Sequence, residues 1–188
     1  VDDLYLANHG IGSVNGMLDI PNNYNDGYHG VKPVRAIRDG AFRNNEKITM
    51  LIIAANVEEI GVGTFENCKN LMFVSFFNNS KVQVLSERVF AGCGQLTDVY
   101  FGQNNSLTTI KTDAFNGCGK LAAIELSSVT KIEDDAFCGC SINKVYVEAE
   151  EEWEGLGAEC PHCQNTIHIP QKFSIEGADV QGVPFKRS

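Results

Sequence analysis

The sequence predicts an α/β-type solenoid that is mostly β, with about five repeats of 22–25 residues, a parallel concave sheet and a cap at each end. Phenylalanines recur 23, 25, 25 and 22 residues apart, and each follows an Ile or Leu by five residues. They are Phe42, Phe65, Phe90, Phe115 and Phe137. Four repeats also share an apolar-x-x-apolar-x-apolar segment, whose last three residues alternate as in a half-buried strand. A fixed period in the twenties is typical of a solenoid.

Each position of the repeat has a predicted place in this fold. The strand segments lie at 71–76, 96–101, 121–126 and 142–147, and stacking them in parallel gives one sheet. The A-F-x-G-C turn then carries the chain across the core, where Gly92, Gly117 and Gly139 suit a tight backbone. A second apolar pair marks the convex wall in each repeat: Val57 and Ile60, Val82 and Leu85, Leu107 and Ile110, Val129 and Ile132. Because no repeat buries its own apolar side, stability comes from stacking on neighbours.

Four cysteines occupy one position of the repeat, and we expect them to be buried and reduced, since a free cysteine behaves as a small hydrophobe. They are Cys68, Cys93, Cys118 and Cys140. Cys138 departs from the pattern, because the equivalent residues of other repeats predict an exposed position. The chain has seven cysteines, an odd number, so a disulfide framework does not explain them.

The recurring I-x-x-x-A-F-x-G-C-x-x-L-x-x-I-x-L resembles the BspA-like, or treponemal-type, leucine-rich repeats over roughly residues 14–169. The resemblance implies a leucine-rich repeat right-handed superhelix. Members of that family are typically secreted or surface-displayed proteins of mucosal bacteria and of some parasitic protists. It therefore implies an extracellular or cell-surface location, and adhesion or other protein contact rather than catalysis.

The chain divides into an N-terminal cap at 1–33, repeats at 34–147, a C-terminal cap at 148–169 and a tail at 170–188. Residues 14–21 resemble the family's first strand, with Leu18 and Ile20 inward, and 22–30 correspond to a hairpin in relatives. Near the other end, an E-E-x-W helical turn would place Trp153 as a lid over the core, and 165–169 resemble a strand that closes the sheet. Because the chain begins at Val1, we expect a mature or trimmed form and draw nothing from a missing signal peptide.

One tetrapeptide carries potential chemistry, Cys160-Pro-His-Cys163. It is the active-site sequence of oxidising thioredoxin-fold enzymes, but only 25 residues follow it and repeat sequence precedes it, which disfavours redox catalysis. A zinc site would use Cys160, Cys163 and His168, with Cys138 as a further ligand, although a single C-x-x-C is a weak signal. A cap disulfide, or two thiols in a variable loop, is the simplest interpretation.

Composition narrows the function further. A net charge of −9 argues against binding nucleic-acid phosphates, and no apolar run is long enough for a membrane span. No catalytic or phosphate-binding motif is present, so we expect neither an enzyme nor a cofactor.

Strand alternation points a set of side chains outward on the concave sheet, and this set is rich in aromatic and apolar residues. It consists of Met50, Ile52, Phe73, Ser75, Asp98, Tyr100, Ala123, Glu125, Lys144 and Tyr146, with Phe77 extending the rim. Exposed apolar patches mark interaction sites. The sequence favours recognition of a protein partner here, and the family resemblance extends the candidates to host extracellular or surface proteins. Homo-oligomerisation and glycan binding stay open, and a metal- or thiol-active cap at Cys160 and Cys163 is the alternative function.

Overall fold

The computed structural model describes residues 5–6, 16–25, 27–28, 30–146, 158–159, 166–167 and 180–181. Over these residues the chain is a mostly-β parallel solenoid of about five turns, with strands and turns but no helix, which confirms the predicted fold. In chain order the strands are β1 (Tyr5–Leu6), β2 (Met17–Ile20), β3 (Asn23–Asn25), β4 (Val31–Pro33), β5 (Ala36–Ile37), β6 (Met50–Ile53), β7 (Glu59–Ile60), β8 (Phe73–Phe76), β9 (Val84–Leu85), β10 (Asp98–Tyr100), β11 (Thr109–Ile110), β12 (Ala123–Glu125), β13 (Lys131–Ile132), β14 (Lys144–Tyr146), β15 (Ala158–Glu159), β16 (Thr166–Ile167) and β17 (Val180–Gln181).

Each turn contributes one longer strand and one two-residue strand to separate parallel sheets. The longer strands form the ladder β2-β6-β8-β10, and β12 and β14 continue beside it. The short strands form the sheets β1-β5-β7 and β9-β11-β13. The convex wall predicted from the second apolar pairs therefore contains short β-strands. Registers match repeat to repeat, so that Met50 pairs with Phe73 and Phe73 with Asp98.

The phenylalanines of successive repeats stack into one column through the core. Neighbouring ring centroids from Phe42 to Phe137 lie 5.3, 5.6, 5.5 and 5.1 Å apart, with the rings parallel or tilted by no more than 22°. Phe65, Phe90 and Phe115 are completely buried. The column therefore couples each repeat to its two neighbours, as a solenoid core requires.

Two left-handed residues shape each turn around the phenylalanine. The residue two positions after Phe has a positive φ in every repeat: 59° at Asn44, 58° at Asn67, 73° at Gly92, 78° at Gly117 and 73° at Gly139. The residue two positions before Phe does the same: 60° at Gly40, 59° at Gly63, 55° at Arg88, 58° at Asp113 and 58° at Asp135. Asparagine, aspartate and glycine tolerate this region best, which explains most of the residues found at these positions.

The buried cysteines form a second ladder beside the phenylalanines. Each thiol donates to the backbone carbonyl of the phenylalanine one repeat earlier, at Sγ–O distances of 3.2, 3.3, 3.2 and 3.1 Å for Cys68, Cys93, Cys118 and Cys140. All four are buried thiols. A cysteine suits this position because it is small and apolar yet offers a weak donor to a carbonyl turned into the core.

The expected exposure of Cys138 is wrong, because the residue is buried with only 8% of its surface exposed. Ala91, at the same position of an earlier repeat, is buried to the same extent. The equivalent Glu66 and Asn116 of other repeats are half-buried, so a small side chain at this position is covered.

Native thiols in this ladder should resist chemical labelling. Burial raises the pKa of Cys68 from 9.0 to about 11, and burial likewise raises the pKa of Cys93. Raising the pKa of Cys68 from 9.0 to about 11 means about a hundredfold less thiolate at pH 8. We expect Ellman's reagent to leave Cys68, Cys93 and Cys118 unmodified in the folded chain and to modify them in guanidinium, as peptide mass mapping would show. Rapid native labelling of these three would contradict the buried ladder.

The same pKa shift predicts alkaline destabilisation. The pKa of the Cys68 thiol is higher in the folded chain than in the unfolded chain. The protonated thiol therefore contributes its full stabilisation below pH 9, where unfolded thiols start to ionise, and this contribution is lost as the pH rises towards 11.

The ends of the array differ in part from expectation. Leu18 and Ile20 of β2 are buried, and β2 pairs in parallel with β6, so the ladder already begins within the segment predicted as an N-terminal cap. β3 and β4 form the antiparallel hairpin implied by the family resemblance. At the other end, β16 pairs with β15 instead of closing the long sheet, and β17, from the predicted tail, pairs antiparallel with β14. An open edge strand needs a partner, and β17 supplies it for β14. Trp153 lies outside the described residues.

Candidate functional site

The outward side of the longer strands is the candidate site, and we call it the sheet face. Every second residue of a strand points outward, so each strand contributes two outward residues, and equivalent residues of neighbouring strands form two rows across the face. The first row is Met17, Met50, Phe73, Asp98, Ala123 and Lys144, and the second is Asp19, Ile52, Ser75, Tyr100, Glu125 and Tyr146. The intervening residues point inward and fill the core, so the rows follow directly from strand alternation.

Apolar side chains are exposed on this face. Met17 is 42% exposed, Met50 37%, Tyr100 39% and Tyr146 41%, while Ile52, Phe73 and Ser75 are half-buried. Met72 and Phe77, just before and just after β8, are more exposed still. A sheet side that simply meets water is normally polar, so the exposed apolar side chains make this face the candidate site.

The face has two chemically different halves. Over β2, β6 and β8 it is mainly apolar, with Met17, Met50, Ile52 and Phe73 adjacent in register and only Asp19 and Ser75 polar. Over β10, β12 and β14 it is aromatic and acidic, since Asp98 and Tyr100 share β10, and Glu125 pairs with Tyr146.

The residues predicted from the sequence lie together on this face, at the rows just described, except that Phe77 lies just past the end of β8. Lys144 holds its row position by strand register. Three residues escaped the prediction: Met17, Asp19 and Met72. The outward positions of Met17 and Asp19 follow from the alternation that places Leu18 and Ile20 inside, so a signal for both was present. Met72 directly precedes β8 and lies outside the alternation.

A change in loop length forms a cleft at the edge of the sheet face. After β8 and β10 five residues (77–81 and 102–106) separate the strand segment from the next buried hydrophobic side chain, whereas after β12 only Ser127 and Ser128 do so. The missing residues leave a step between neighbouring repeats. A cleft of about 390 Å³ occupies it, lined by Tyr100, Gly102, Gln103, Asn104, Asn105, Glu125, Ser127 and Ser128.

Hydrogen bonds fix the walls of this cleft. Asn105 Oδ1 accepts from Ser128 Oγ at 2.6 Å and from the Leu107 amide at 3.1 Å, and its Nδ2 donates to the Gly102 carbonyl at 3.0 Å. Ser127 Oγ donates to Glu125 Oε1 at 3.0 Å. The loop after β10 is also tied to the loop after β8, because the backbone N–H of Gln103 donates to Asn78 Oδ1 at 2.9 Å.

The residues of the alternative cap site, Cys160, Cys163 and His168, lie outside the described residues. Within the part of the chain that the structure describes, no group of three or more His, Cys, Asp or Glu side chains is arranged to hold a metal ion. Over the same residues, no helix is long and apolar enough to cross a membrane.

Comparison with known proteins agrees with this geometry. The family described as BspA type leucine rich repeat region matches residues 35–157 in six copies. Among curated proteins, none matches this chain significantly.

Three solved structures are similar in fold. A leucine-rich repeat protein from Bacteroides ovatus ATCC 8483 has 28% identity and a TM-score of 0.61, over 78% of this chain and 40% of that one. A leucine rich cell surface protein from Faecalibacterium prausnitzii A2-165 has 26% identity and a TM-score of 0.52, over 70% and 41%. The T. pallidum Leucine Rich Repeat protein has 23% identity and a TM-score of 0.55, over 70% and 58%. The chain thus spans 40–58% of the length of these relatives.

Proposed function

Since the chain belongs to the BspA-type leucine-rich repeat family, whose repeats serve in general as non-catalytic interaction modules, we propose that it binds a protein partner through the sheet face. The observation that carries the proposal is the exposure of methionine and tyrosine side chains on four of the six longer strands: Met17 on β2, Met50 on β6, Tyr100 on β10 and Tyr146 on β14. Methionine and aromatic residues are enriched in the cores of protein interfaces.

The two halves of the face would contribute differently to such an interface. The apolar half around Met50 and Phe73 supplies area that gains free energy when it leaves water. In the other half, Tyr100 and Tyr146 present rings that combine large contact area with a hydroxyl at the tip. Because methionine adapts its shape easily, the apolar half suits a partner with an irregular hydrophobic surface.

Charge predicts the rim of the partner. Asp19, Asp98 and Glu125 occupy row positions, and Lys144 is the one basic residue in either row. With a chain net charge of −9, the complementary partner has basic residues around an apolar centre. Association should then weaken as salt rises, since exposed charges are screened.

We further propose that the chain acts at a cell surface or outside the cell, in an adhesin-like role. Two things support this location: membership of the BspA-type family, and a similar protein of Faecalibacterium prausnitzii that is described as a cell surface protein.

A triple variant tests the binding face. The change Phe73→Ser, Tyr100→Ser and Tyr146→Ser removes three aromatic rings without touching a buried position. Interface aromatics often account for 2 kcal/mol or more each, so we expect affinity for a partner found with the wild-type chain to fall about 100-fold or more. The screen would use immobilised extracellular proteins and surface plasmon resonance, with circular dichroism to check folding.

A control variant on the opposite side of the solenoid completes the test. Gln83→Ser, Thr108→Ser and Thr130→Ser alter three exposed, equivalent positions of successive repeats beside the short strands. The control should bind as wild type does. Equal loss in both variants, or none in either, would refute binding through the sheet face. If wild type dimerises by light scattering and the sheet-face variant does not, the partner is a second copy of the chain.

A further inference from the structure

We propose that the cleft between the loops after β10 and β12 binds a neutral oligosaccharide, independently of the protein contact proposed for the sheet face. The cleft opens where the post-strand loop shortens from five residues to two, and its volume of about 390 Å³ is within the range of small-molecule sites, about 300–1,000 Å³. Loops on a rigid scaffold commonly carry binding functions.

The lining excludes several ligand classes. Small-molecule sites are usually lined mostly by apolar side chains, but here amide and hydroxyl groups predominate, so an apolar ligand would leave them without partners. Among the described residues no lysine, arginine or histidine lines the cleft, which argues against a phosphate or carboxylate ligand. Glu125 is the one charged group among the described lining residues, and Ser127 already donates to it, so a cation has little to hold it there.

The groups that remain match the chemistry of a sugar. Amide side chains offer a donor and an acceptor in one plane, which is the arrangement that pairs with neighbouring hydroxyls of a pyranose ring. Gln103 and Asn104 present exposed amides to the cleft, and neither side chain forms a hydrogen bond with any described residue. Tyr100 supplies an aromatic ring on which the C–H side of a sugar can pack.

The cleft is also rigid enough to bind without being rebuilt. Asn105 is tied to both walls, through Ser128 on one side and the Gly102 carbonyl on the other. The Asn105 side chain is therefore held in place, while the side-chain amides of Gln103 and Asn104 stay available to a ligand. A preorganised site loses less entropy when a ligand binds.

The test uses a cleft variant and a matched control. Gln103→Ala with Asn104→Gly removes both exposed amides, and glycine suits position 104 because Asn104 has φ 51°. The control, Gln83→Ala with Asn79→Gly, makes the same changes outside the cleft, where Asn79 is the equivalent left-handed residue with φ 59°. Tyr100→Leu keeps an apolar strand residue but removes the ring.

The probes are neutral trisaccharides of glucose, galactose, mannose and N-acetylglucosamine, each at millimolar concentration, observed by saturation-transfer NMR and titration. We expect at least one to bind the wild-type and control chains, and the affinity to fall about tenfold or more in the cleft variant and in Tyr100→Leu. If none of the four sugars binds, or if the cleft variant binds as tightly as the control, the proposal is overturned. Phe73→Ser should leave sugar binding unchanged, so failure here and failure of the protein contact can be told apart.

Discussion

Replacing Phe90 by alanine is expected to lower the free energy of unfolding by about 3–5 kcal/mol. Phe90 is completely buried, and its ring stacks at 5.6 Å on Phe65 and at 5.5 Å on Phe115. Truncation therefore removes apolar burial and opens a cavity in the middle of the phenylalanine column. Because each repeat is stable only against its neighbours, the loss should affect the stacking of two interfaces at once.

Urea denaturation followed by circular dichroism measures this effect. Phe77→Ala is the matched control, because Phe77 is 53% exposed at the rim and its loss should change stability by no more than about 0.5 kcal/mol. Phe90→Leu should lie between the two, since it keeps much of the volume but not the ring contacts. A loss below about 1 kcal/mol for Phe90→Ala would mean that the column does not hold the repeats together.

The second large effect is expected at Gly102, where alanine should cost about 2–5 kcal/mol. Gly102 is buried with φ +78°, a conformation that costs an L-residue about 1–2 kcal/mol. A Cβ atom there would also meet the Phe77 carbonyl carbon at 2.8 Å and the Asn78 nitrogen at 3.0 Å. Both are backbone atoms of the preceding loop, so neither can rotate aside, and such overpacking adds about 1–3 kcal/mol.

Gly94→Ala provides the comparison for thermal unfolding. A Cβ at Gly94 would find its nearest neighbour, the Gly117 carbonyl oxygen, at 3.9 Å, which is an ordinary contact. Its melting temperature should therefore stay close to that of wild type, while Gly102→Ala melts several degrees lower. Similar melting temperatures for the two variants would show that the loops after β8 and β10 do not pack as tightly as described.

The repeated frame explains why so much of the fold follows from the sequence. Phenylalanine spacing sets the period, and the alternation at Val74 or Ile124 identifies the inward side of each strand. The cysteine ladder is visible as a pattern too, but its hydrogen bonds are not. They depend on the Phe42, Phe65, Phe90 and Phe115 carbonyls turning into the core, which only the left-handed turn residues bring about.

The candidate site can be predicted from the sequence less completely than the fold. The rows of the sheet face follow from alternation, yet the cleft depends on the contrast between 102–106 and 127–128, a length difference whose consequence appears only when the repeats are stacked. The expected exposure of Cys138 was wrong for a similar reason, because the covering of a small side chain at this position arises only in the folded chain. The pairing of β17 with β14 joins segments far apart in sequence, and no local sequence pattern predicts it.

The most direct test of the sheet face uses the methionines of the chain. It has three, Met17, Met50 and Met72, and all are exposed on or beside the apolar half of the face. Labelling their methyl groups with carbon-13 gives three NMR signals that report on this surface. With a saturating protein partner from the screen, all three signals should shift or broaden. Firm binding that leaves all three unchanged would place the interface elsewhere and contradict the proposed function.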